Sequence, residues 1–405
     1  MHFGFFVYRI IRKFATNKNH RDMHILEIPS FFPPSGGLFC LDQAKALAML
    51  GHEVRILSNV QLGLTIHKKD YFTLPFGRYE HQMDSVMVYQ SYQRGIPKAI
   101  RYNVNRWVSI VLSMYKDYEY KYGRPDILHA HCAKWAGYAA MKISQEYGIP
   151  YVITEHLSKA IFNDEFCFSG PQPFQIPMLT DAYCHAAMVI PVSKELVGSL
   201  AVYFGSDYQW KAIGNIVDVD FFHYQQREPL QGRPFRFCCL ANYWPLKGYD
   251  ILFAAFRRLR QQGLDVELHI AGRGTDCKEC LSLLKEAVIS HGLLDKLGVR
   301  ELLFHSDALV LASRSETQGM ALLEALSTGI PIVTTEAIPQ SVRPQQGCSF
   351  VPIDDVTALV DAMRKVSQQQ DFDGESVSKK IAEMASPQVI GKKLEQLFSE
   401  IVASK

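Results

Sequence analysis

The stretch Ala308-Leu-Val-Leu-Ala-Ser-Arg-Ser-Glu-Thr-Gln-Gly-Met-Ala-Leu-Leu-Glu-Ala-Leu-Ser-Thr-Gly-Ile-Pro-Ile-Val-Thr-Thr335 decides the fold. Ala308 to Ser313 reads as a buried strand that runs into a polar turn. A helix is predicted from about Gln318 to Ser327. Gly329 stops it and Pro331 opens a second apolar strand, which is the order of an α/β unit. Glu316 lies in the turn and Glu324 eight residues later, about two helical turns further on. The N–H groups of Gly319, Met320 and Ala321 would crown the helix N-terminus, a place where anions bind readily. An acid beside that anion and another along the helix suit a phosphate-bearing ligand with hydroxyls on both sides. A surface helix with two solvated glutamates satisfies the same spacing.

The same alternation extends in both directions. Upstream, Phe235 to Ala241 reads as a strand. The loop Asn242-Tyr-Trp-Pro-Leu-Lys-Gly248 then leads to a helix reaching about Arg260. Lys247, just before that helix, can meet a diphosphate as a point charge or stand solvated. Val266 to Gly272 is the next strand, with a helix predicted from Cys277 to Ser290. Ser349 to Ile353 and helices to Val402 follow the central stretch.

In the first half, Met23-His-Ile-Leu-Glu-Ile28 reads as a strand, and Phe31-Phe-Pro-Pro-Ser-Gly-Gly37 turns into a helix from Leu38 to Leu50. Gly36 and Gly37 permit close backbone approach to a ligand. Strands at 126–131, 151–156 and 188–193 alternate with helices. His129, His131 and His156 fall at or near strand ends, where open α/β sheets place their ligands. His129 and His131 are expected to point to opposite faces, and neither a zinc-type spacing nor a third ligand accompanies them. The helical pattern through Trp107, Ile110, Val111 and Met114, flanked by Arg101, Arg106 and Lys116, reads as core-packed, with an acceptor or membrane face as the other reading.

With 405 residues, 48% hydrophobic and 21% charged, the chain has room for two packed domains and is too apolar for disorder. A net charge of +2 without a dominant basic stripe argues against a nucleic-acid partner. Nine cysteines without framework spacing indicate a reducing compartment, and the lone Cys277-x-x-Cys280 lacks the second pair of a zinc site. Residues 1–22 differ from the rest. Phe3, Phe6, Val7, Ile10 and Phe14 recur at helical spacing, and five basic residues precede the first acid, Asp22. Either this is a basic amphipathic helix that lies on an anionic membrane, or the protein starts at Met23.

Glu316 and Glu324, with seven residues between, resemble the paired-glutamate signature of the retaining family-four glycosyltransferases. That resemblance implies the GT-B architecture, an α/β fold of two Rossmann-like domains facing across a cleft. It implies an acceptor-side domain over 23–207, a nucleotide-sugar-binding domain over 208–386, and a last helix, 387–404, crossing back to the first. By the same resemblance Glu316 lies beside the donor sugar and Glu324 holds the ribose, with Gly319 and Met320 at the phosphate end of the helix. Gly36 and Gly37 would face the donor diphosphate. Lys247 would meet it too, His131 would sit at the catalytic site, and His156 would lie on the acceptor side.

Two departures stand out. The family's usual Arg five residues before the Lys is Asn242, and the interval near Lys296 lacks room for the short strand and glycine turn that line the base pocket. The implied activity is metal-independent, cofactor-free transfer of a hexose from a nucleotide diphosphate sugar to a glycan or lipid-linked acceptor. Surface polysaccharide synthesis in the cytoplasm is the implied setting, with peripheral contact at the inner face of the membrane. A catalytically weak nucleotide-sugar-binding protein and a nucleotide-sugar epimerase on the same fold are the alternatives.

Overall fold

The apolar runs of the sequence become strands buried on both faces. In this computed structural model β5 (Ile127–His131), β6 (Tyr151–Glu155), β11 (Ala308–Leu311) and β12 (Ile332–Thr335) are buried at every position, as central strands of helix-covered parallel sheets must be. The structure describes residues 22–34, 36–64, 67–165, 170–227, 232–283, 287–369 and 371–405. The basic amphipathic segment read at 1–22 lies outside the described residues except for Asp22.

The first domain runs β1 (His24–Pro29), α1 (Leu38–Met49), β2 (Glu53–Leu62), α2 (Lys68–Thr73), β3 (Arg78–Met83), β4 (Val86–Arg94), α3 (Ile100–Tyr122), β5, α4 (Tyr138–Tyr147), β6, α5 (Lys159–Glu165), α6 (Gln175–Cys184), β7 (Met188–Pro191) and α7 (Glu195–Phe204). Its sheet has the order β3-β4-β2-β1-β5-β6-β7. Only β3 is antiparallel. The Trp107, Val111 and Met114 stripe of α3 is buried against one face of this sheet.

The second domain runs β8 (Phe235–Leu240), α8 (Tyr249–Gln261), β9 (Val266–Ala271), α9 (Lys278–Leu283), β10 (Val288–Ser290), α10 (Lys296–Phe304), β11, α11 (Met320–Ser327), β12, β13 (Cys348–Val351), α12 (Val356–Gln368) and α13 (Gly374–Ala385). Its six strands, in the order β10-β9-β8-β11-β12-β13, are all parallel. Strand order reverses at β1 in one sheet and at β8 in the other, and such switch points open a crevice at the strands' carboxyl ends.

Of the stretch read as a helix over 277–290, Lys278–Leu283 is helical, and 288–290 form β10, paired in register with Leu268, His269 and Ile270. Gly292 follows with φ 64°, so a short strand and a glycine turn do precede α10. A three-residue strand is too short to show a period, which is why the helical pattern before it was extended over it.

The final helix, α14 (Pro387–Ala403), returns to the first domain. Ile390, Leu394, Leu397 and Phe398 are buried with Ile25, Leu41, Leu47 and Ile127. At about 1.5–3 kcal/mol per fully buried side chain, this is a substantial tie between the halves. Gly391 allows it, since a Cβ there would lie 3.2 Å from that of Ala46. A second tie is polar. The backbone N–H of Asn215, in the segment joining the domains, donates to Gln318 Oε1 at 2.8 Å. Further along the same segment, Arg227 donates to the carbonyls of Leu303, Phe304, Ser306 and Thr328.

Candidate functional site

At the β8/β11 switch point lies a cleft of about 390 Å³. Six of the predicted residues meet in it: Asn242, Lys247, Glu316, Gly319, Met320 and Glu324. A larger hollow, about 680 Å³, lies by Ile332 and Gly347 at the starts of β12 and β13. Ligands of parallel sheets sit at the strands' carboxyl ends, so the smaller cleft is the candidate.

Lys247 reaches the cleft because Gly248 takes φ 64° and carries no side chain; a Cβ there would lie 2.0 Å from the Ala312 carbonyl oxygen. The loop thereby packs directly on the end of β11. Lys247 Nζ donates to Glu316 Oε1 at 2.7 Å, and Ser313 Oγ donates to the same oxygen at 2.7 Å. Arg314 clamps the two loops together through Asp250, Asp354 and the Pro245 carbonyl. Glu316 and Lys247 are thus mutually positioned before any ligand arrives.

Helix α11 begins at Met320, two residues later than predicted. Gly319 precedes it in the left-handed region at φ 83°, and no side chain caps the helix. Its first N–H groups and the positive end of its dipole therefore face the cleft uncompensated. Glu324, one turn in, is only partly exposed. Burial pushes its carboxyl up to about 7, with Lys296 pulling it down and Asp42 pushing it further up. Asp42 belongs to α1 of the first domain, so these carboxyls feel each other across the domain boundary. Lys296 pairs with Asp218 at 2.6 Å. Nothing in the sequence marks Asp42 or Lys296 as a site residue, since each is one charge on a helix.

Asn242 does not stand idle in place of an arginine. Its Oδ1 accepts from the backbone N–H of Arg273 at 3.0 Å and so fixes the Gly272-Arg-Gly274 turn at the cleft wall. Leu293 and Leu294, after β10 and its glycine turn, also line the cleft, and with them the part of the wall that the sequence reading found missing.

The other predicted residues gather in the first domain and do not line this cleft. Gly37, at φ 86°, cannot be replaced without collision, since a Cβ would sit 1.9 Å from the Phe31 carbonyl oxygen; Gly36 has open space around it. His129 and His131 share one face of β5, contrary to expectation, because residues two apart on a strand point the same way. Both meet Glu27 on β1. His131 Nε2 lies 2.7 Å and His129 Nδ1 2.9 Å from Glu27 Oε2, and all three side chains are fully buried. The third ligating group that the sequence did not reveal is therefore present, and these three are the group among the described residues that could gather a metal ion. The 2.7 Å contact is a hydrogen bond from His131 to a buried carboxylate, while His129 lies against the same oxygen and makes its hydrogen bond through Nε2 to Thr154 Oγ1.

Burial alone would raise Glu27, but His129 and His131 outweigh it and hold the carboxyl down at about 2. Burial, then His129, lowers His131 to about 4 against the pull of Glu27. His156 is buried too, its ring 3.8 Å from that of Phe39, and burial holds it well below the usual imidazole range. Glu27 was legible only as an acid inside an apolar strand.

Family profiles match both halves of the chain. The profile described as Glycosyltransferase Family 4 matches residues 36–221 and that described as Glycosyl transferases group 1 matches 234–369. The chain belongs to the family-four glycosyltransferases. Two Mycobacterium tuberculosis glycogen synthase sequences are 28% identical over 257 residues, which is 60% of this chain and 60% of theirs. TuaC of Bacillus subtilis, named for teichuronic acid biosynthesis, is 25% identical over 78% of this chain and 81% of its own. The whole-chain shape of this family-four glycosyltransferase is similar to that of sucrose-phosphate synthase from Thermosynechococcus elongatus, with a TM-score of 0.76 at 16% identity over 94% of this chain and 100% of that one. Anabaena HepE in complex with UDP and glucose gives 0.68 at 16% identity over 93% and 99%. At such identities the likeness is one of fold, the GT-B pairing of two Rossmann-like halves.

Proposed function

We propose that this family-four glycosyltransferase moves a hexose from a nucleotide diphosphate sugar to a glycan or lipid-linked acceptor, with retention of anomeric configuration and without a metal ion. The observation that carries the reading is the cleft at the β8/β11 switch point, where Lys247, Glu316, the uncapped α11 N-terminus and Glu324 converge. Breaking the bond to the anomeric carbon builds negative charge on the departing diphosphate. Lys247 and the helix N–H groups are fixed cation and dipole aimed at that charge, which favours the transition state over the ground state. Glu316 then binds sugar hydroxyls and Glu324 the ribose. In this reading Gly36, Gly37 and His131 are the first domain's share of the site.

The HepE complex with UDP and glucose supports a nucleotide-sugar donor. The relative named for teichuronic acid biosynthesis supports a role in surface polysaccharide. Thermal-shift screening against UDP-, GDP- and ADP-sugars identifies the donor, because a ligand that binds only the folded chain stabilises it. Product NMR then reads the anomeric configuration. Loss of activity in EDTA with recovery in manganese, or an inverted product, refutes the corresponding part of the reading.

A further inference from the structure

We propose that the rim of the first domain formed by residues 68–76 and 94–106 docks on an anionic phospholipid surface. Five large apolar side chains stand out of the fold there: Phe72 and Phe76, 70% and 82% exposed, with Ile96, Ile100 and Tyr102 beside them. They belong to one surface because Arg94 ties the segments together. It donates to the carbonyls of Tyr71, Leu74 and Pro75, and its guanidinium lies 3.8 Å from the Phe76 ring centroid. Arg106 donates to the Arg94 carbonyl, and the Asn103 side chain holds both the N–H and the carbonyl of Ile96.

Apart from Asp70 of α2, the charge around this patch is positive. Lys68, Lys69, Lys98 and Arg101 are exposed and Arg106 half-buried. Between 67 and 109 the acids are Asp70, Glu80 and Asp84, and the last two are engaged by Lys121 and Lys45. No carboxylate among the described residues lies within ion-pair distance of Lys68, Lys69, Lys98 or Arg101. Aromatic and aliphatic side chains ringed by lysine and arginine suit the boundary between headgroups and acyl chains, where rings insert and cations meet lipid phosphate.

A second copy laid face to face would oppose like charges. Residues 1–21 carry five basic residues and no acid, so the same repulsion disfavours them as a cover and suits both to one anionic surface. The place of the patch is also apt. Strands β2 and β4 end at Leu62 and Arg94, the same carboxyl edge at which β5 ends in His131. β4 is three strands from β5, about 15 Å at ~4.8 Å per strand. A protein seated on this rim holds its cleft edge close to the bilayer. The inference stands apart from the donor reading, since vesicle binding needs no donor.

The test is co-sedimentation of the full-length protein with phosphatidylcholine vesicles, with and without phosphatidylglycerol, at low and high salt. Wild type is expected to bind the phosphatidylglycerol vesicles and to be released by salt. Phe72→Ser/Phe76→Ser and Lys69→Glu/Arg101→Glu should each lower the partition coefficient by about 10–100-fold. Phe3→Ser/Phe6→Ser in the N-terminal segment should leave the rim-dependent share intact. Melting temperature checks that the variants fold. Phe76→Trp, whose emission should shift blue on anionic vesicles, reads the contact without removing it. Rim variants that sediment like wild type, equal binding to neutral vesicles, no vesicle binding at all, or a dimer that Phe72→Ser/Phe76→Ser dissociates would each overturn the proposal.

Discussion

Replacing Lys247 by Ala removes a cation that holds Glu316 when the cleft is empty and, by our reading, meets the leaving diphosphate when it is full. The Lys247 Nζ–Glu316 Oε1 pair is 2.7 Å long, with side chains 21% and 11% exposed. At an effective dielectric of ~20 such a pair is worth roughly 6 kcal/mol of gross Coulomb attraction, most of it cancelled by desolvation. Its loss leaves the Glu316 charge to Ser313 Oγ alone, beside the site of the diphosphate. The missing cation and the stranded carboxylate act in the same direction on the transition state. We expect kcat/KM to fall by roughly 10²–10³, about 2.7–4 kcal/mol. Steady-state kinetics with the donor identified by thermal shift, together with product inhibition by the free nucleoside diphosphate, measure it. Glu316→Gln should also lower activity, but it frees Lys247, so nucleoside diphosphate should inhibit it at least as strongly as wild type. Part of the Lys247→Ala loss should return in the double variant. A Lys247→Ala enzyme with near-normal kcat/KM and unchanged product inhibition refutes the reasoning.

Glu324→Ala should weaken nucleotide binding by about 1–3 kcal/mol in calorimetry, the range for a lost hydrogen bond to a charged group; equal affinity would remove Glu324 from the ribose. Because burial raises the Glu324 carboxyl to about 7, above its unfolded value near 4.5, the folded chain holds this proton longer than the unfolded one. Its contribution to stability is present below about 4.5 and is lost as pH rises through about 7, so Glu324→Gln should raise the melting temperature at pH 8 more than at pH 5. Glu27 has the opposite sign: held at about 2, it contributes stability above its unfolded value that is lost as pH falls towards 2. Glu27→Gln should cost on the order of 2–4 kcal/mol near neutrality and flatten that acid limb, read by melts from pH 3 to 7. Asn242→Arg should lower stability by about 1 kcal/mol and fail to raise activity, because it gives up the hydrogen bond to Arg273 N; a more active Asn242→Arg enzyme would show that the turn tolerates the change.

The alternation of buried strands and helices is written in local sequence, and with it two largely parallel sheets. Those signals are local, with a run of apolar residues, a glycine stop or a proline start read within a few positions. The second-domain half of the candidate cleft was legible for the same reason, since Glu316, Gly319, Met320 and Glu324 lie on one turn and one helix. Contacts between residues far apart in the chain emerge only from the folded arrangement. Lys247 and Glu316, 69 positions apart, meet because a glycine lets one loop rest on the end of a neighbouring strand. Glu27 and His131, separated by 104 positions, share a hydrogen bond because β1 and β5 are adjacent in the sheet. β10, with three residues, became a strand only through its pairing with β9. Periodicity tells which face of an element is buried; it does not tell which other element covers that face, and the charges that meet there follow from that second fact.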